Sequence, residues 1–127
     1  MILDTITYSA LRITLLDQTR HYFGGYFHVK LLAFCDIPLE ESYFEHEAEF
    51  RDAVAKLGPS VRFERVLEKM AVPESGIDAV RGQLTQAFHE TAGTYLSVPD
   101  FAPRFVRSEY LKRIKKRNSM SVTCHYP

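Results

Sequence analysis

Near the start of the chain, hydrophobic and polar residues alternate one by one. Between positions 7 and 16, Leu11, Ile13 and Leu15 fall on one side, with polar residues between them. A period of two is typical of a strand that buries one face. The wider spacing of apolar residues from Ile2 to Ile13 leaves a helix open as a second interpretation.

The longest alternating segment covers residues 26–37. Its odd-numbered positions are all apolar, and its even-numbered positions are mixed, because Leu32 and Phe34 stand among polar residues. This pattern predicts a strand with one fully apolar face and a second face that is partly apolar. Residues 17–25 end in Gly24-Gly25 and have the composition of a turn, so we predict a hairpin with a long aromatic loop.

Three later segments have apolar residues every three or four positions, which is the spacing of amphipathic helices. These segments are residues 40–57, 77–96 and 104–117. Residues 61–72 fit either a strand or a helix, because their apolar residues match both periods. We predict a strand there, since a hairpin alone would be a poor surface for the helices to pack on.

The order of these elements predicts an α+β fold. A small antiparallel sheet, made of the N-terminal hairpin plus a third strand, would have two to three helices packed on one face. Alternation at residues 120–126 indicates either an edge strand or a frayed end. No repeat or linker interrupts the pattern, so residues 1–127 are expected to form a single domain.

Composition narrows the class of protein. The chain is 46% hydrophobic and 25% charged, as globular proteins are, and two cysteines are too few for a disulfide framework. Cys35 shares the apolar face of its strand and is expected to be buried. No apolar run reaches the roughly 20 residues of a membrane helix, and the first residues do not resemble a signal peptide. We therefore predict a cytoplasmic protein without membrane contact.

The segment 21–28 is the most distinctive in the chain, because two histidines and four aromatic residues flank a pair of glycines. Aromatic rings offer a large contact area at low entropic cost, so this segment is a candidate binding surface. In the alternative, Tyr22 and Phe23 fold back over the core while the glycines make the turn. The candidate binding residues are His21, Tyr22, Phe23, Tyr26 and His28.

Charge is segregated along a chain whose net charge is zero. Residues 40–52 contain six acids and one base, whereas residues 104–117 contain seven bases and one acid. Either the two segments neutralise each other, or the basic helix meets phosphate or an acidic partner. The candidate basic patch consists of Arg107, Lys112, Arg113, Lys115, Lys116 and Arg117.

The sequence contains no recognisable catalytic set. It lacks the glycine-rich motifs of nucleotide-binding proteins and the GxSxG motif of hydrolases. His21 and His28 have no third metal ligand at a characteristic spacing. We therefore predict no catalytic residues, no metal and no cofactor, and an enzyme is the less favoured class.

Three hypotheses for function follow. The first is a non-enzymatic protein-interaction module that self-associates as a homodimer, with the aromatic loop or Leu32 and Phe34 in the contact, because a two-fold contact would cover that partly apolar face. The second is a nucleic-acid-associated protein that uses the basic helix 104–117, although zero net charge argues against it. The third is a small enzyme or ligand carrier with a pocket under the aromatic loop, where Asp17, His21 and Tyr22 would be acid–base groups.

Overall fold

The computed structural model describes residues 1–8 and 10–122, with side chains as far as Lys115. In this part of the chain, an antiparallel sheet of five strands and three helices confirm the α+β class. The strands are β1 (Ile2–Tyr8), β2 (Leu11–Asp17), β3 (Arg20–Phe23), β4 (Tyr26–Pro38) and β5 (Ser60–Pro73). The helices are α1 (Glu47–Leu57), α2 (Ile77–Leu96) and α3 (Phe101–Val122). Residues 61–72 are thus a strand, as predicted.

The first segment forms two strands and not one. β1 and β2 pair in antiparallel register from Ile2 opposite Leu16 to Tyr8 opposite Leu11. The helical interpretation of this segment is wrong, because Ile6 and Ile13 lie opposite each other on adjacent strands. Their spacing along the chain resembles that of a helix only because the chain reverses between them.

β2 and β3 follow each other along the same side of β4, so the predicted hairpin is confirmed. Between them, the N–H of Gln18 donates to the carbonyl oxygen of Lys30 at 2.8 Å, and the N–H of Lys30 donates to the Thr19 hydroxyl at 3.3 Å. The register is therefore kept across the break. The predicted long aromatic loop is wrong, because its aromatic residues continue the strand and only Gly24-Gly25 turn the chain.

The chain divides into two compact units. The first contains residues 1–35 and 62–99, and the second contains residues 36–61 and the chain from residue 100 onward. β4 and β5 each begin in one unit and end in the other. The expectation of a single domain stays a prediction.

In the first unit, α2 packs on the apolar face of the sheet. Val29 of β4, Val72 of β5 and Val80 of α2 form a buried cluster, which Ile77 and Leu84 extend. Cys35 also lies on this face and is buried, as expected, whereas Cys124 lies outside the described residues. The alternation of β4 thus identifies the face that forms the core.

β1 is attached to α2 through Tyr8. The Tyr8 hydroxyl and Nδ1 of His89 share a hydrogen bond of 2.8 Å, and the two rings stack with their centroids 5.6 Å apart. Burial raises the pKa of Tyr8 above its ordinary value. A Cβ atom at Gly93 would lie only 3.0 Å from the Tyr8 ring, so the helix can approach this closely because residue 93 is glycine.

In the second unit, α1 begins at Glu47, later than the predicted start at residue 40. A 3₁₀ turn at Glu41–Tyr43 comes first, and Phe44 then has an extended backbone with φ −121° and ψ 151°. The extended segment lets Phe44 turn inward and become buried, which a continuous helix would not allow at the same place. The predicted first two turns of the helix are therefore wrong.

α3 is longer than predicted at both ends. Val106 and Tyr110 are buried and Ile114 is half-buried, as the helical spacing indicated. The helix continues through Met120 to Val122, so these two residues do not begin an edge strand. The rest of the predicted tail, residues 123–127, lies outside the described residues.

Candidate functional site

The hairpin of β3 and β4 presents the aromatic segment at its tip. Phe23 lies opposite Tyr26, and the two glycines between them make the turn. Gly24 has φ 57°, in the left-handed region that glycine adopts without steric cost. Next to this turn the pairing of the two strands shifts by one residue, between His21 and Phe23. The aromatic residues are therefore displayed on a pair of strands.

Three rings at this tip are open to solvent. Tyr22 is 55% exposed, Phe23 is 75% exposed and Tyr26 is 48% exposed. The interpretation that Tyr22 and Phe23 cover the core is thus wrong. All four residues of β3 are exposed, because β3 lies at the end of the strand order and has β4 as its neighbour on one side.

The two predicted histidines have different surroundings. His21 is exposed, its ring meets the Phe27 ring edge-on at 5.4 Å, and its Nε2 is hydrogen-bonded to the carbonyl oxygen of Gly24. His28 is only 8% exposed, and its Nε2 lies 3.0 Å from Oε2 of Glu68 on β5. The expectation of an exposed His28 is wrong, because β5 brings Glu68 alongside β4. His21 belongs to the hairpin tip, and His28 does not.

Asp17 belongs to the helix-covered side of the sheet. Its Oδ2 lies 2.5 Å from the Arg81 guanidinium of α2, and its Oδ1 accepts the N–H of Thr19 at 3.0 Å. Burial by itself would raise the pKa of Asp17, but the hydrogen bonds from Thr19 and the charge of Arg81 together bring it below its ordinary value. The alternation of β2 already indicates that Asp17 faces the helix, because Asp17 follows Ile13 and Leu15 on the buried side.

The proposed acid–base set of Asp17, His21 and Tyr22 does not come together. Asp17 is engaged by α2, whereas His21 and Tyr22 are exposed on β3. A general acid and base must both lie within hydrogen-bond reach of one substrate. The hairpin tip therefore does not unite these three groups in one acid–base cluster.

Leu32 and Phe34 lie on the face of β4 opposite the α2 side. Both are half-buried, and neither is as exposed as the three rings of the hairpin tip. The guanidinium of Arg62 lies 4.5 Å above the centre of the Phe34 ring. A cation over the ring shields part of its apolar surface, so this face is a smaller apolar patch than the sequence suggests.

In the second unit, an aromatic cluster joins α1 and α3. The Phe44 ring is tilted against Phe50 at 6.0 Å and meets Tyr110 edge-on at 5.8 Å. The Tyr110 hydroxyl donates to Oδ2 of Asp52 at 2.6 Å, and Lys56 donates to the same carboxylate. The hydrogen bond to Asp52, together with burial, raises the pKa of Tyr110 to about 12. This network fixes the rotation of α3 against α1.

A cavity of about 210 Å³ opens beside this cluster. Its lining combines two rings, two carboxylates, one guanidinium and one leucine, namely Phe44, Glu45, Glu49, Arg107, Tyr110 and Leu111. Within the described residues, no ion pair joins Arg107 to either glutamate. The acidic segment and the basic helix therefore contact each other here mainly through the aromatic cluster.

The predicted basic patch separates into three groups. Arg107, Lys112 and Lys115 are exposed on α3. Arg113 instead donates from Nη1 to the carbonyl oxygen of Lys56 at 3.0 Å, near the end of α1. The side chains of Lys116 and Arg117 lie outside the described residues. Arg104, which the sequence-based patch omits, is exposed on the same side of α3 as Arg107.

In the ranges 1–8 and 10–115, no group of three or more histidine, cysteine, aspartate or glutamate side chains could hold a metal ion. No helix of the described chain is long and apolar enough to cross a membrane.

Comparison with known proteins adds no information on function. The chain matches no protein-family model, no curated protein and no solved structure.

Proposed function

We propose that this protein is a non-enzymatic interaction module that self-associates as a homodimer through the tip of the β3–β4 hairpin. The observation that carries the proposal is the exposure of Tyr22, Phe23 and Tyr26 on the strands that flank a two-residue turn. Exposed aromatic rings are common at the centres of protein contacts, because they bury a large area for few rotatable bonds.

The free side of β3 supports a second copy as the partner. An edge strand presents unpaired N–H and C=O groups, which can pair with another strand. Two β3 strands can pair in antiparallel fashion about a two-fold axis, so that the same four residues serve both copies. The rings of Tyr22 and Phe23 would then pack against their equivalents in the second chain.

The size of this surface predicts a weak dimer. An aromatic side chain buries about 150–250 Å² when it is fully covered. With the exposed fractions of the three rings, the contact would remove roughly 700 Å² from water over both copies. Stable protein contacts usually bury about 1,200–2,000 Å². We therefore expect an equilibrium between monomer and dimer that depends on protein concentration.

Analytical ultracentrifugation over a concentration series tests the proposal. The wild type should show a rising average mass, and the double variant Tyr22→Ser, Phe23→Ser should remain a monomer at the same concentrations. Val98→Ser is the matched control, since Val98 is also exposed but follows α2 in the sequence and does not belong to the hairpin. It should associate like the wild type.

Phe34→Glu distinguishes the two candidate contacts. If the hairpin tip forms the contact, this substitution, eight residues farther along β4 than Tyr26, leaves association unchanged. Loss of the dimer in Phe34→Glu, together with a normal dimer in the tip variant, would overturn the assignment to the tip. A wild type that stays a strict monomer at high concentration would overturn self-association altogether.

A further inference from the structure

One exposed side of α3 is a continuous basic stripe. Each of its six residues has another member three or four positions away, which places them on the same side of a helix. They are Arg104, Arg107, Ser108, Leu111, Lys112 and Lys115, and together they line one open depression on the surface. Four of the six are cationic, and the stripe is about 17 Å long at the rise of an α-helix.

The opposite side of α3 is held within the second unit. Val106 and Tyr110 are buried there, and Arg113 donates to the carbonyl oxygen of Lys56. The hydrogen bond between Tyr110 and Asp52 further fixes the orientation of the helix. The basic stripe is thus presented in a defined direction, and Arg113 is a cation of the same helix that does not belong to it.

The acidic segment does not neutralise the stripe by direct contact. Arg104 and Lys112 have only long, exposed ion pairs with near neighbours in sequence, with Asp100 at 3.7 Å and Glu109 at 3.6 Å. Arg107 and Lys115 make no ion pair with any described residue. Exposed pairs of this kind contribute little to stability, so the cations remain available to an external anion.

The spacing of the cations points to a particular anion. Arg104 and Arg107 form one pair of cations, and Lys112 and Lys115 form another. The midpoints of the two pairs are eight positions apart in the helix, which corresponds to about 12 Å along its axis. The major groove of B-form DNA is also about 12 Å wide, with a phosphate backbone on each side. An exposed helix face with cations at both ends can therefore contact both strands across the groove.

We propose that the basic stripe of α3 binds the phosphate backbone of duplex DNA, weakly and without sequence preference. Single-stranded nucleic acid fits less well, since its binding relies on stacking of bases against aromatic rings and the stripe has none. A lipid surface also fits less well, because membrane-surface helices insert an apolar face, and here that face is turned into the protein. Leu111 is the one apolar residue of the stripe.

The acidic residues of the same unit and the zero net charge of the chain weaken this binding. Each neutralised phosphate contributes about −0.9 to the slope of log K against log salt. Four contacts give a slope of about −3.6, so affinity should fall about 100-fold between ~50 mM and ~200 mM salt. Binding is expected at the lower salt and is nearly lost at the higher one.

Fluorescence anisotropy with a short labelled DNA duplex tests the proposal at both salt concentrations. The double variant Lys112→Gln, Lys115→Gln should bind more weakly and should have a slope shallower by about 1.8. The control is Arg12→Gln, Lys69→Gln, which removes the same charge from exposed positions of β2 and β5. Arg113→Gln is a second control on α3, and circular dichroism verifies that every variant is folded.

The proposal is supported if the stripe variant alone loses affinity and salt dependence. It is overturned if the wild type does not bind at ~50 mM salt, the range where counterion release favours binding, or if the charge-matched control loses as much affinity as the stripe variant. Tighter binding to a single strand or to duplex RNA would overturn the groove assignment. Tighter binding to vesicles of anionic phosphatidylserine would identify a lipid partner instead.

Discussion

Two groups of three aromatic residues in the described part of the chain have opposite surroundings. Phe44, Phe50 and Tyr110 pack against one another in the second unit, with Phe44 and Tyr110 less than a tenth exposed. Tyr22, Phe23 and Tyr26 stand at the hairpin tip in the first unit, about half to three-quarters exposed. Residue type is nearly the same in both groups, so it does not decide burial.

The difference lies in what the backbone brings to each group. α1 and α3 each contribute one side of the aromatic cluster, and an extended segment adds Phe44 between them. The tip has only the two strands of its own hairpin, because β3 lies at the end of the strand order. The buried group should therefore govern stability, whereas the exposed group should govern association.

Phe44→Ala should have the largest effect on stability. Removing a buried phenylalanine from the cluster leaves a cavity and loses apolar contact, which costs about 3–5 kcal/mol. Chemical denaturation, followed by circular dichroism, measures the change. A loss within about 0.5 kcal/mol, the usual range for surface positions, would show that the two aromatic groups do not differ as described.

Tyr110→Phe should lower stability at neutral pH by about 1.5–3 kcal/mol, because it removes a hydrogen bond to the charged carboxylate of Asp52. Ala at residue 110 would confound this test with a cavity, so Phe is the suitable substitution. Tyr26→Phe at the tip is the matched control. It should change stability by less than about 0.5 kcal/mol.

The same hydrogen bond predicts a dependence on alkaline pH. The pKa of Tyr110 is raised from 10.0 to about 12 in the folded state, so the folded chain holds this proton more tightly than the unfolded chain. Its contribution to stability is complete below pH 10 and is lost as pH rises through about 12. The difference in stability between wild type and Tyr110→Phe should shrink over this range. Tyr43, whose pKa is also raised to about 12, titrates in both proteins and cancels in the difference.

Gly24→Ala should have an intermediate effect. Alanine in the left-handed region costs about 1–2 kcal/mol, and a shifted turn would also move the rings of the tip. Gly25→Ala is the control, since Gly25 does not have a positive φ. Stability and sedimentation are both measured, and equal behaviour of the two variants would contradict the role given to Gly24.

Phe23→Ser should have the smallest effect on stability, within about 0.5 kcal/mol of the wild type. Because the ring is exposed in the monomer, its removal leaves no cavity. The same substitution should nevertheless reduce self-association, which sedimentation measures. A large loss of stability would mean that the ring packs inside the monomer, contrary to its exposure.

Sequence periodicity is sufficient to predict the type of an element and its buried face where one period dominates. The alternation of β4 correctly predicted a strand and the face that it buries, and the spacing of α3 correctly predicted Val106 and Tyr110 as inward residues. It failed where the chain reverses or changes its backbone between apolar residues. Ile6 and Ile13 share a helical spacing across a turn, and Phe44 is buried by an extended segment that helical periodicity does not represent.

The candidate sites were predictable only in part. The segment 21–28 was recognised as distinctive, but its exposure depends on which strands lie beside β3, and that is a property of the sheet. Likewise, Glu68 is distant in sequence from His28, so nothing local indicated their contact. The basic helix was recognised from its composition, whereas the separation of Arg113 from Lys112 and Lys115 required the rotation of α3 to be known.

The close approach of Tyr8 and Gly93 also constrains how this protein can diverge. The tyrosine ring occupies the volume that a side chain at position 93 would need, so a larger residue there requires a smaller one at position 8. Glycine within a helix is otherwise unfavourable by about 1 kcal/mol relative to alanine. Homologous chains that keep a glycine at position 93 would therefore do so because of its contact with the Tyr8 ring. Homologous chains should therefore change both positions together or keep both, a correlated pair that links the first strand to the second helix.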